Sequence, residues 1–244
     1  MRPLPPNLEI YTTSDGSPTL SWQRADGYVE KMHHSGGALE ESIYIYHQAL
    51  GLVLNEAPSA RVLSIGLGLG YNELLCLSEF CKRGITNWRI WSFEAHPDLR
   101  HEFADWLTSG QASSELSLVH EKLLNLIAQR LEVPVEEIRS TARAALQDGR
   151  LQLRHSFPDD IAEIDHANLI LYDAYSKKMD PHLWDERALI EKLGPLLDDR
   201  CFLATYAATG SLNRALKGLG FSLIPKPGFL GKRESTLARR ELKS

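Results

Sequence analysis

The chain has 244 residues, of which 43% are hydrophobic and 24% charged, a composition typical of a soluble globular protein with one α/β domain, or one domain and a small appendage. Its formal net charge of −5 and its pI of about 6.0 argue against a surface coated with basic residues for nucleic acid. It lacks the apolar run of about 18 residues that a membrane span needs and the apolar middle of a signal peptide, so we expect a cytoplasmic protein with no membrane partner.

The elements in chain order predict a β-rich start followed by alternating strands and helices. Residues 1–37 are predicted to form a small extension with a β-hairpin around the turn at 14–17, and residues 38–244 the main domain. Within that domain, a polar helical insertion is predicted near 115–148 and a closing hairpin at 222–224 and 235–239. The remaining predicted helices are 38–54, 72–83, 97–107, 183–197 and 211–219, and the predicted strands are 61–65, 88–94, 151–154, 167–173 and 200–206.

These strands are near-continuous apolar runs, which indicates a parallel sheet covered by helices on both faces. The closing hairpin would add an antiparallel edge. The expected fold class is therefore α/β and Rossmann-like. Cys76, Cys81 and Cys201 form no CxxC pair, so they are expected to be reduced thiols, and no metal site is predicted.

The segment between the first buried strand and its helix carries glycines at alternate positions, Gly66, Gly68 and Gly70. Glycine allows a sharp turn and lets a ligand approach main-chain N–H groups, which is typical of adenosine-containing cofactors. The dinucleotide pattern requires one more glycine, where this chain has Tyr71. S-adenosylmethionine has no phosphate to place there, so the turn favours a methyltransferase. The alternative is a turn that serves tight packing alone.

Two acids end predicted strands. Glu94 ends the second strand, where a carboxylate can accept both ribose hydroxyls, unless it is an ordinary surface acid. Asp173 ends the most apolar strand and is expected to face the ligand cleft at the carboxyl ends of the strands, unless it only caps the next turn. The polar loop from Asp173 to Trp184 would wall a substrate pocket.

Seven segments along the chain form a recognisable set: Ser35-Gly-Gly-Ala-Leu-Glu-Glu-Ser42, Gly66-Leu-Gly-Leu-Gly-Tyr-Asn72, Phe93-Glu94, Asp173 to Trp184, Leu203-Ala-Thr-Tyr206, Gly220-Phe221 and Gly228-Phe-Leu-Gly-Lys-Arg-Glu234. Together they resemble the methyltransferase domain of the MnmC family, the bifunctional enzyme that completes 5-methylaminomethyl-2-thiouridine at the tRNA wobble position. The resemblance covers most of residues 35–238. The chain departs from the family pattern at Ser64, where an acid is usual, and at Ser176 and Asp180.

The resemblance implies a class I methyltransferase that uses S-adenosyl-L-methionine and acts on the tRNA anticodon loop, with an oxidase as a separate partner protein. Asn72 and Glu41 are expected on the cofactor side, with Glu40 the alternative to Glu41. Asp159, or else Asp160, is expected to bind the adenine amino group.

Asp173 is the expected catalytic residue, because an alkylamine must lose a proton before it accepts a methyl group. Tyr175 and Trp184 are expected to stack on a flipped base, unless they serve loop packing. Lys232 and Arg233, in a locally basic tail, are expected to contact phosphates. Two other functions stay open. One is a small-molecule or polyamine-type methyltransferase, and the other a catalytically silent binding protein with the same fold.

Overall fold

The N-terminal residues form a small antiparallel sheet in the computed structural model, which describes residues 2–231 and 234–242. Its strands β1 (Leu8–Thr12), β2 (Pro18–Gln23) and β3 (Val29–Lys31) are adjacent in chain order. The pairing of β1 with β2 confirms the predicted hairpin, and β3 follows as a third strand. Leu20 of β2 is wholly buried in the main core, so this sheet packs against the rest of the protein.

A seven-stranded sheet lies at the centre of the described chain. Its strands are β4 (Ser59–Ile65), β5 (Asn87–Phe93), β6 (Leu151–Arg154), β7 (Ala167–Tyr172), β8 (Leu197–Thr205), β9 (Phe221–Ile224) and β10 (Thr236–Glu241). They lie in the order β6-β5-β4-β7-β8-β10-β9. The first five pair in parallel, and β10 runs antiparallel to both β8 and β9. The predicted closing hairpin therefore forms the antiparallel end of the sheet, with β9 at the edge.

Helices cover the sheet and supply the rest of the core. Two hydrophobic clusters lie on its two faces, because alternate side chains of β4 and β7 point to opposite sides: Val62 and Leu169 to one, Leu63 and Ile170 to the other. The helices are α1 (Ala38–Ser42), α2 (Gln48–Glu56), α3 (Tyr71–Arg83), α4 (Pro97–Ser109), α5 (Glu115–Leu131), α6 (Val135–Asp148), α7 (Glu186–Leu193) and α8 (Gly210–Gly218).

Local signals explain where several helices begin and end. A π-helical turn at Ile43–His47 joins α1 to α2, so the predicted helix at 38–54 is not regular. Ser114 caps α5 by accepting a hydrogen bond from the Ser117 N–H. The predicted helix at 183–197 is shorter than expected. Asp185 caps its start, and the Gly194-Pro195 pair follows its end.

The parallel strands bring their carboxyl ends to one edge of the sheet, where the chain leaves β4 into the glycine turn, β5 at Glu94 and β7 at Asp173. Ligands of open α/β sheets bind at this edge. Within the part of the chain that the structure describes, no helix combines the length and apolar character that a bilayer crossing requires.

Candidate active site

The glycine turn joins β4 to α3 and forms the floor of a cavity. Gly66 and Gly68 have positive φ angles of 95° and 53°, which side chains with a Cβ rarely adopt. The N–H groups of Gly66 and Leu67 both donate to the carbonyl of Phe93, each at 3.0 Å. A Cβ on Gly66 would lie 2.3 Å from the carbonyl oxygen of Asp173. Glycine is therefore required at position 66, where the turn meets the end of β7.

The cavity above this turn has a volume of about 400 Å³, within the range of small-molecule and cofactor sites. Its walls come from parts of the chain far apart in sequence, including residues 30–35 at the end of β3, 93–95 at the end of β5 and 173–175 after β7. The cavity is lined by six of the residues that were predicted for the site, namely Glu41, Gly66, Gly68, Glu94, Asp173 and Tyr175. The structure thus brings the glycine turn and both strand-end acids to one place.

Glu94 is fixed against the glycine turn. Its Oε2 accepts a hydrogen bond from the Gly68 N–H at 2.9 Å, and its Oε1 accepts one from the His96 N–H at 2.8 Å. Burial raises the pKa of Glu94, while these two donors counteract the rise. A carboxylate offers about four acceptor sites, so Glu94 retains capacity for the hydroxyl groups of a ligand in the cavity.

Asp173 leaves β7 with its N–H donating to the Ile65 carbonyl at 2.8 Å. Its Oδ1 accepts a hydrogen bond from the Tyr46 hydroxyl at 2.7 Å, and its Oδ2 accepts one from Asn72 Nδ2 at 3.2 Å. Burial raises the pKa of Asp173 to about 7, a shift that Glu41 increases and the two donors oppose. A carboxylate with a pKa near neutrality is suited to act as a general base.

Carboxylates dominate the charge of the cavity. An excess of one charge sign in a cleft attracts ligands of the opposite sign, so the cavity favours cations such as an ammonium group. Among the described lining residues, Lys31 is the only lysine or arginine, against the acids Glu30, Glu41, Glu94, Asp173 and Asp180.

A family model described as S-adenosyl-L-methionine-dependent methyltransferase matches residues 115–241, slightly more than half of the chain. The chain belongs to this family. The matched stretch includes Asp173 and the strands from β6 to β10, while the glycine turn precedes it.

Two relatives are named tRNA 5-methylaminomethyl-2-thiouridine biosynthesis bifunctional protein MnmC. The protein of Paraburkholderia phymatum is 26% identical over 229 residues, which are 87% of this chain and 32% of the relative. That of Aromatoleum aromaticum is 25% identical over 236 residues, which are 93% of this chain and 34% of the relative. The chain therefore spans about a third of the length of these relatives, and the predicted resemblance to the MnmC family is confirmed.

The fold is shared with the crystal structure of MNMC2 from Aquifex aeolicus. That structure matches 97% of this chain, and the chain covers 70% of it, with a TM-score of 0.66 and 24% sequence identity. Together with the order of the strands, this likeness confirms the predicted class I methyltransferase fold with a mostly parallel sheet.

Gly70 and Asn72 are not among the residues that line the cavity, and their cofactor contacts stay a prediction. A Cβ on Gly70 would lie 2.2 Å from Cε2 of Phe103, so this glycine allows α4 to pack closely on the start of α3. Asn72 is 2% exposed and donates to Asp173. Its contact is therefore with the candidate base.

Asp159 is also placed differently from the prediction. Its side chain is exposed, accepts a hydrogen bond from Ser156 Oγ at 3.0 Å and does not line the cavity. Asp160, the alternative, accepts a hydrogen bond from the His155 N–H at 3.0 Å and pairs with Arg154. From this loop, Ser156 and Phe157 reach the cavity instead. A predicted adenine contact by either acid is therefore not supported by the geometry.

The two predicted stacking residues differ in exposure. Tyr175 lines the cavity and is partly exposed. Trp184 is wholly buried, its ring packs edge-on against Tyr172, and its indole N–H donates to the Tyr175 carbonyl at 2.6 Å. The burial of Trp184 favours the alternative of loop packing over stacking on a base. Lys232 and Arg233 lie outside the described residues.

Tyr46 is a site residue that the sequence analysis missed. It lies in the π-helical turn, five positions after Glu41, and both line the cavity. In a regular α-helix, residues five apart point about 140° away from each other. The wider π-helical turn changes the angle between the two side chains. The spacing of apolar residues in the sequence does not reveal such a turn.

Glu30 is a second missed residue. It accepts hydrogen bonds from the N–H and the hydroxyl of Ser176, both at 2.7 Å, and so joins β3 to the loop that follows Asp173. Arg24 donates to the carbonyl of Lys178 in the same loop at 3.2 Å. The N-terminal sheet therefore holds one wall of the cavity. The domain boundary at residue 37 stays a prediction.

Proposed function

We propose that this protein N-methylates the aminomethyl group of the tRNA wobble uridine in the cytoplasm, converting 5-aminomethyl-2-thiouridine to 5-methylaminomethyl-2-thiouridine with S-adenosyl-L-methionine as methyl donor. The observation that carries the proposal is Asp173, a carboxylate of raised pKa in an acidic cavity beside the glycine turn. The names of the bifunctional relatives supply the substrate.

The cavity fits the cofactor. The bare backbone at Gly66 and Gly68 leaves room for close approach, and Glu94 beside them can accept ribose hydroxyls. Glu41, a buried carboxylate that accepts the His34 N–H at 2.6 Å, is proposed to line the same side. When bound, S-adenosylmethionine supplies a methyl group on a positively charged sulfur.

Asp173 is proposed to hold the amine and take its proton. A primary alkylamine is mostly an ammonium ion at neutral pH and has no lone pair in that form, whereas a carboxylate both attracts the cation and accepts its proton. With its proton on Asp173, the nitrogen would have a free lone pair to form the new N–C bond, and the sulfur of the bound donor would keep the electron pair of the broken methyl–sulfur bond. Holding the nucleophile and the group that it attacks in the right orientation accounts for much of the rate enhancement in reactions of this kind.

The contacts to RNA are proposed from the place of one aromatic residue in the cavity and from the charge of two basic residues in the sequence. Tyr175 in the cavity wall is proposed to stack on the extruded base. Lys232 and Arg233 are proposed to contact phosphates of the anticodon loop. An oxidase partner is proposed to provide the aminomethyl group that this reaction consumes.

The test uses labelled S-adenosylmethionine and tRNA from cells that lack the wobble-uridine methyltransferase. After reaction, the tRNA is digested and the labelled nucleoside identified. We expect label in 5-methylaminomethyl-2-thiouridine with the wild-type protein and none with Asp173→Asn. Label in another nucleoside, or none at all with a protein that binds the cofactor, would contradict the proposal.

A polyamine-type methyltransferase is the second candidate, because the acidic cavity favours any cationic amine. Affinity for tRNA separates the two functions. Binding through phosphate contacts weakens steeply as the salt concentration rises, whereas a polyamine enzyme would methylate spermidine and show no affinity for tRNA. Binding of S-adenosylmethionine, measured by calorimetry, would argue against a catalytically silent protein.

A further inference from the structure

The Asp173 carboxylate is held by one side-chain donor on each oxygen. Tyr46 donates to Oδ1 at 2.7 Å from the π-helical turn, and Asn72 donates to Oδ2 at 3.2 Å from the first turn of α3. Both donors are almost fully buried, at 2% exposure each. Two donors from different elements fix the plane of the carboxylate, while the acceptor sites that remain are available toward the cavity.

The two donors also oppose the groups that hinder ionisation. Burial removes the Asp173 carboxylate from water, Glu41 of α1 faces it with negative charge, and Glu73 of α3 adds to this repulsion once it ionises itself. Tyr206, after β8, lies near enough for its own ionisation to be hindered by Asp173. A hydrogen bond donated to a carboxylate stabilises the charged form. Without Tyr46 and Asn72, the carboxylate would keep its proton to a higher pH.

We propose that Tyr46 and Asn72 are positioning residues that orient the Asp173 carboxylate toward the amine and govern its action as a base. The proposal rests on the methyltransferase reaction proposed above. Each residue occupies one carboxylate oxygen, Tyr46 from the cavity wall and Asn72 from outside the cavity lining. They act through Asp173 and need not touch the reacting nitrogen.

Tyr46→Phe is the main test, because it removes the hydroxyl and keeps the ring. Loss of a hydrogen bond to a charged group should raise the pKa of Asp173 by about 1–2 pH units. Asn72→Leu tests the other oxygen independently and should raise it by less, because its donor is farther away. Tyr172→Phe is the matched control, since this buried tyrosine donates to the Leu183 carbonyl instead.

Two measurements are made on each variant. The first is the pH titration of the Asp173 carboxyl carbon by 13C NMR in the full chain without cofactor, with Asp173→Asn providing the assignment. The second is the acid limb of the pH profile of kcat/KM with tRNA, which reports ionisation of the free enzyme. Affinity for S-adenosylmethionine is measured by calorimetry and should change less than about threefold.

We expect the midpoint of the Asp173 titration and the midpoint of the acid limb to rise together in Tyr46→Phe and in Asn72→Leu. Neither midpoint should change in Tyr172→Phe. An unchanged titration in Tyr46→Phe and Asn72→Leu, or an equal shift in Tyr172→Phe, would overturn the positioning role. If the carboxyl titration moves as expected while no variant or wild-type protein methylates tRNA, the effect on Asp173 stands and the proposed function fails.

Discussion

The buried carboxyl of Glu73 makes a specific prediction for stability. Glu73 lies in α3 with no exposed surface, and its Oε1 accepts a hydrogen bond from Ser92 Oγ at 2.7 Å. Its Oε2 has no hydrogen-bond partner among the described residues. Burial raises the pKa of Glu73 from 4.5 to about 7, so the folded protein keeps this group neutral where the unfolded chain ionises it.

The effect on stability follows from this difference. Between pH 4.5 and about 7, Glu73 keeps a proton in the folded state that it loses in the unfolded state, so its contribution to the free energy of unfolding falls as the pH rises. Each pH unit of pKa difference corresponds to about 1.4 kcal/mol, so Glu73 alone lowers the stability by about 3 kcal/mol across this interval. Above about pH 7 this loss of stability is complete, because the folded protein then holds the Glu73 carboxyl as a buried charge.

Glu73→Gln removes the ionisation and keeps the shape. We expect the variant to be about 2–3 kcal/mol more stable than the wild type at pH 8 and within about 1 kcal/mol of it at pH 5. Urea unfolding followed by circular dichroism at both pH values measures the difference. An equal difference at pH 5 and pH 8 would refute the argument, because a packing effect does not depend on pH.

Glu79→Gln is the control, on the same helix. The pKa of Glu79 is lowered to about 2, first by its hydrogen bond to His47 and further by Arg83. A lowered carboxyl pKa contributes stability above the unfolded value of 4.5 that is lost as the pH falls through the folded value. This variant should therefore be less stable than the wild type at pH 8, by about 1–3 kcal/mol, which is the opposite sign to Glu73→Gln.

Three further predictions concern the cavity. Glu94→Ala should weaken S-adenosylmethionine binding roughly 10- to 100-fold by calorimetry, and unchanged affinity would remove Glu94 from the site. Asp173→Ala should bind the cofactor nearly as well as the wild type but show no turnover, and lost affinity would instead identify Asp173 as a cofactor ligand. Gly66→Ala should destabilise the fold by about 2–4 kcal/mol in urea unfolding, through both its positive φ and its clash. Gly84→Ala, with positive φ but nothing within 4 Å, should lose only about 1 kcal/mol, and equal losses would contradict the clash.

The sequence was sufficient for the parts of the site that follow from strand order. Apolar runs located β4, β5 and β7, and parallel strands necessarily bring Gly66, Glu94 and Asp173 to the same edge of the sheet. The glycine pattern then distinguished the floor of the cavity from an ordinary turn. These predictions needed only the period of the strands and the conformational freedom of glycine.

Contacts between distant segments could not be predicted in this way. Glu30 reaches Ser176 across 146 positions, and Tyr46 faces Asp173 because of an irregular helical turn. The surroundings of Asp159 and Trp184 were unpredictable for a related reason. Asp159 lies in a turn and Trp184 ends a three-residue 3-10 helix, and in such short connecting segments the spacing along the chain does not determine which way a side chain points.

The backbone contact between Gly66 and Asp173 has a consequence for changing the substrate of this protein. The floor of the cavity and the base meet through main-chain atoms, 2.3 Å from where a Cβ would stand, so their spacing does not depend on the identity of neighbouring side chains. The walls, in contrast, are side chains such as Met32 and Tyr175. A designer seeking a variant for a bulkier ligand can therefore vary the walls while the backbone spacing between the glycine turn and Asp173 stays constant.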